Sequence, residues 1–78
     1  MAEGIKWEYA GFDCEIFIEK NGLPKGFEVY DINDPENYHV EGMLEMEDNN
    51  VIGYDGCYEL PDVIEVKLEE LGYNCSEL

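Results

Sequence analysis

The chain has 78 residues, of which 20 are Asp or Glu and four are Lys, with no Arg, for a formal net charge of −16. That length fits one domain with a small core, and a content of 45% hydrophobic and 13% aromatic residues excludes a disordered acidic tail, which is poor in such side chains. The same charge repels anionic lipid and nucleic acid, which excludes membrane and DNA as direct ligands.

Alternation with period two, the mark of strands with one face buried, opens the chain. Ile5, Trp7 and Tyr9 alternate with Lys6 and Glu8, predicting a strand over 4–10, and Ala10-Gly11 is short enough to be a hairpin turn. From 12 to 19 the even positions Phe12, Cys14, Ile16 and Ile18 are apolar, whereas the odd ones are acidic except Phe17. Asn21-Gly22 is a strong turn signal that Pro24 prolongs, and alternation resumes over 26–31. A polar loop with Asn33, Asp34 and Pro35 precedes a strand over 38–46, a turn over 47–50 and a short strand over 51–54. At Pro61 the period changes. Leu60, Ile64, Leu68 and Leu71 share one helical face, with proline suited to the first turn and Gly72 to the position past the end, so a helix is expected over 61–71. The expected class is α+β, a single domain over 1–78: an antiparallel sheet of four to five strands with one C-terminal helix packed on one face.

Placing the acids on these elements gives two surfaces. If the even residues of 12–19 face the core, Asp13, Glu15 and Glu19 point outward, and the same logic exposes Glu8, Glu28, Glu41 and Glu45. Like charges opposed across strands destabilise a sheet, so such a face works against the fold that carries it. Phe17, Tyr30 and Met43 fall at outward positions within it, as apolar anchors that lower an off-rate once charge has steered the encounter. On the helix, Asp62, Glu65 and Glu69 form a second acidic stripe.

Other chemistries fit less well. A calcium loop laid from Asp48 finds Asn50, Gly53 and Glu59 in place but Ile52 at a ligand position and no preceding helix, so turn chemistry accounts for the segment. Cys14, Cys57, Cys75 and His39 hold no close-spaced pair of zinc ligands, and no metal or other cofactor is expected. His39, the single histidine, sits in a predicted strand, and the cysteines read as small hydrophobes or tail residues, so catalysis is not expected. Three widely spaced cysteines do not make a secreted disulfide framework, and with no secretory leader or membrane-length apolar run the expectation is a cytoplasmic protein.

The spread of Asp and Glu over a compact domain of this size resembles the small acidic inhibitors of phages and mobile elements, among them DNA-mimic blockers of restriction enzymes and DNA glycosylases, and anti-CRISPR proteins. The resemblance covers size, charge and the distribution of carboxylates along the whole chain. It implies inhibition of a host defence or DNA-processing protein by occupation of its nucleic-acid-binding surface, with a basic protein as the partner. The alternative is a small accessory, scaffolding or antitoxin-like domain that binds a basic protein without blocking nucleic acid.

Overall fold

The computed structural model describes residues 3–76 and residue 78. Five strands, β1 (Glu3–Tyr9), β2 (Phe12–Ile18), β3 (Pro24–Asp31), β4 (His39–Glu47) and β5 (Asn50–Asp55), precede one helix, α1 (Asp62–Glu70). They form a single antiparallel sheet in the order β1-β2-β3-β4-β5, a meander in which each strand pairs with its sequence neighbour. The α+β class is as expected, and each element end lies within two residues of its expected place.

The turns follow from local chemistry. Ala10 and Gly11 have φ of 51° and 87°, positive at both central residues as the tight β1–β2 hairpin demands. Alanine is strained there. Ala10→Asn, a residue that tolerates the left-handed region, is expected to raise stability by about 0.5–1 kcal/mol, read as a shift of the urea midpoint at constant m-value. Between β2 and β3, Asn21 Oδ1 accepts from the Leu23 amide at 2.9 Å. The segment from Asp48, where calcium chemistry was weighed, makes a tight turn and then β5, with φ of 54° at Asp48.

The inner face of the sheet carries the core: Cys14, Ile16, Phe27, Val29, Leu44 and Val51 are buried against Leu60, Ile64, Leu68 and Cys75. Burying side chains of this size stabilises the fold by about 1.5–3 kcal/mol each before entropy is counted. Gly42 lies opposite Phe27 in the β3–β4 ladder, and a Cβ on it would stand 3.0 Å from the Phe27 ring. The missing side chain makes room for that ring.

The helix is too short to persist alone and is held by Ile64 and Leu68. Its C-terminus closes with the Tyr73 amide donating to Leu68 O at 3.0 Å and the Gly72 amide to Glu69 O at 3.1 Å, with Gly72 at φ 100°. This is a Schellman closure, which satisfies carbonyls the helix leaves open. Leu71, expected on the buried face, is instead 40% exposed because it is the capping residue where the chain turns away. Beyond it, Val51 N–H donates to Asn74 O and Asn74 N–H to Asn49 O, both at 2.8 Å, so the C-terminal segment lies along β5. Among the described residues, no helix is long and apolar enough to cross a membrane.

A candidate protein-interaction face

Because α1 packs on the inner face, the outer face of the sheet is left bare, and strand register decides what it presents. One row across the strands reads Glu8, Asp13, Tyr30, His39; the next reads Lys6, Glu15, Glu28, Glu41; a third reads Gly4, Phe17, Gly26, Met43, Asp55. Glu45 follows on β4, opposite Gly53. Three like-charge pairs therefore oppose each other directly: Glu8 with Asp13, Glu15 with Glu28, and Glu28 with Glu41.

Few basic side chains answer them. Lys6 Nζ is 3.9 Å from Glu15 Oε1, and His39 Nε2 lies 2.9 Å from Glu28 Oε2 and 4.0 Å from Glu41 Oε2. Glu28 at the middle of the sheet keeps 29% of its side chain exposed and Glu15 keeps 20%, whereas Glu41 keeps 71%. Glu28, His39 and Glu41 also place three ligand atoms within 4.8 Å of one another, a set able to touch a divalent cation. Their exposure makes a hydrogen bond between the imidazole and Glu28 the simpler account of the cluster.

The Tyr30 hydroxyl donates to Asp13 Oδ2 at 2.7 Å. That hydrogen bond, reinforced by the charge of Asp13, holds the phenol above its ordinary pKa. Since the neutral phenol is the form favoured by the fold, its contribution is present below the ordinary tyrosine range and lost as pH rises through the raised value. One of the six tyrosines is thus expected to ionise late in an ultraviolet titration, and Asp13→Asn to bring it back toward about 10.

Phe17 and Met43 flank Gly26, with the Phe17 ring and the Met43 sulfur each 3.6 Å from where its Cβ would stand. The two side chains close over the glycine and make a small apolar spot on the acidic face. Met43 is 56% exposed, while Phe17 and Tyr30 are half-buried. Among the described residues, no loop or second helix covers them.

The structure thus gathers Glu8, Asp13, Glu15, Phe17, Glu28, Tyr30, Glu41, Met43 and Glu45 on one face. Glu19 is a correction. The pairing of β2 with β3 shifts register between Phe17 and Ile18, β2 ends at Ile18, and Glu19 enters the turn, where it lines a shallow recess with Leu44 and Met46 of the opposite face. Asp55 takes its place on the outer face, opposite Met43. Asp62, Glu65 and Glu69 lie on the helix, in the other layer of the molecule. A flat partner surface meets one set or the other.

Comparison with protein-family models, with curated proteins and with solved structures finds no match. The site therefore rests on its own geometry.

Sequence reasoning missed Lys6, His39 and Asp55 as members of the face. The spacing of His39 and Glu41, two apart on a strand, puts both on one side and was available from the sequence. Their meeting with Glu28, and that of Asp55 with Met43, depends on cross-strand register. The three thiols are not a reactive set: burial, and then neighbouring carboxylates, push Cys14, Cys57 and Cys75 upward, toward the protonated form.

Proposed function

We propose that this chain is an acidic inhibitor that blocks the nucleic-acid-binding surface of a host defence or DNA-processing protein, in the manner of the DNA-mimic and anti-CRISPR proteins that it resembles. The observation that carries this reading is the row Glu15, Glu28, Glu41, three carboxylates on adjacent strands of the face that the helix leaves bare. Such apposition costs stability, so its advantage lies outside the fold. The molecule is 36 Å long and carries sixteen excess negative charges, one per about 2.3 Å, against one per about 1.7 Å of duplex DNA.

The mechanism is competition. Carboxylates of the outer face pair with Lys and Arg that otherwise hold phosphate, while Phe17, Tyr30 and Met43 bury apolar area between the charges. The setting is the cytoplasm of the host cell, and no catalytic step or cofactor takes part.

The test is capture from host lysate on the immobilised chain. Wild type is expected to retain a basic protein that duplex DNA or guide RNA then displaces, and retention falls as salt rises. Charge reversal of Glu15, Glu28 and Glu41 to Lys abolishes capture while circular dichroism shows the domain folded. A partner that stays bound in the presence of saturating nucleic acid would instead be the mark of an accessory or scaffolding domain.

A further inference from the structure

The two edges of the sheet are unlike. β5 is bulged against β4 between Glu45 and Met46, and the C-terminal segment bonds along it through Asn74. β1 has neither protection. Its seven residues pair with β2 without a register shift, and among the described residues no other segment bonds to its backbone. A regular strand with one row of free N–H and C=O groups is a template for another strand, the liability that most proteins blunt.

Beside this edge the first and second turns of α1 leave a groove of about 320 Å³, walled by Trp7, Tyr9, Val63 and Val66. Tyr9 and Val66 are 63% and 56% exposed although both are apolar in body. The lysine lining the groove is already engaged, with Lys67 Nζ 5.0 Å from the centre of the Trp7 ring and 3.2 Å from Glu70. Asp62 and Glu70 complete the lining, so the groove is apolar with an acidic margin. On the other side of the edge, Glu8 and Lys6 are exposed, and the Glu15 carboxylate lies over Gly4, which has no side chain to hold it back from β1.

We propose that β1 accepts an extended segment of a partner protein as a sixth strand, one in which apolar residues alternate with Lys or Arg. Strand alternation sends every second side chain to each face. The apolar set enters the groove between Trp7 and Val66, and the cationic set meets Glu8 and, over Gly4, the Glu15 carboxylate, on either side of Lys6, whose own ammonium lies 3.9 Å from Glu15. Backbone hydrogen bonds supply affinity and the alternating pockets supply selection, as in other cases of strand addition. A second copy of this chain is a poor occupant, because pairing β1 with β1 brings two chains of −16 together. The inference stands whether or not the outer face blocks a nucleic-acid site.

The probe is a blocked seven-residue peptide of alternating Lys and Val, titrated into the full chain labelled with ¹⁵N. Shifts are expected at the amides of residues 3–9 and at the Trp7 indole. A peptide of the same composition with its Lys and Val in blocks binds at least about fivefold more weakly. Val66→Lys, at an exposed position, weakens binding about tenfold, whereas Ile52→Lys, the same residue introduced at an exposed position of β5 on the opposite edge of the sheet, weakens it less than about threefold. Equal binding of the two peptides, equal loss in the two variants, or shifts confined to Glu28 and Glu41 overturn the proposal. So do β1 shifts that grow with protein concentration in the absence of peptide, which assign the edge to a second copy.

Discussion

Replacing Glu15, Glu28 and Glu41 together by Gln is expected to make the domain more stable and the protein useless to its partner. Two directly opposed like-charge contacts vanish, each worth up to about 1 kcal/mol, while the weak pairs with Lys6 and His39 are lost in exchange. The net gain is about 0.5–1.5 kcal/mol at low salt, or about 3–8 °C in thermal midpoint for a domain of this size. Affinity for the captured partner falls by about 100-fold or more, since close charge pairs across an interface couple by about 1.5 kcal/mol and upward. Differential scanning calorimetry and titration calorimetry on the same sample read both effects. A variant that loses stability while keeping affinity would place the functional carboxylates elsewhere, the helical set Asp62, Glu65 and Glu69 being the next to reverse.

The second large effect is in the core. Phe27→Ala is expected to cost about 3–5 kcal/mol, a large share of the roughly 4–12 kcal/mol that a chain of this length commands. Phe27 is fully buried at the centre of the sheet, and its ring occupies the space that Gly42 leaves open on β4. Removing the ring opens a cavity that glycine cannot help to fill. Gly42→Ala fails for the opposite reason: its Cβ would stand 2.7 Å from the Asp55 carbonyl oxygen as well as 3.0 Å from the ring, costing about 1–3 kcal/mol. Combining Gly42→Ala with Phe27→Leu recovers only the part of that cost due to the ring, because the Asp55 backbone contact remains. Urea denaturation of Gly42→Ala, Phe27→Leu and the double closes the cycle.

Most of this architecture was legible in the chain because each element declares itself locally. Four strands show apolar residues at every second position, Asn21-Gly22 and Ala10-Gly11 set the turns, and the change of period at Pro61 marks the helix. What the sequence could not display was pairing. Alternation puts Glu15, Glu28 and Glu41 on the outer face, but only register makes them neighbours in one row. The same limit hid Asp55 and the contact of His39 with Glu28. Glu19 was misplaced because odd–even logic holds only while a strand stays regular, and β2 shifts register at Phe17 and ends one residue before it. Leu71 fits the helical period yet belongs to the cap, where the chain has already turned.

The division of carboxylates between sheet and helix layers bears on how a partner is approached. Charge on both layers means that a basic surface coming within the Debye length of about 8 Å is attracted whether it meets the sheet or the helix, while at longer range the attraction is largely screened. For the proposed basic partner, orientation would then be set at contact, where the apolar spot of Phe17 and Met43 and the groove beside Trp7 distinguish one face from another.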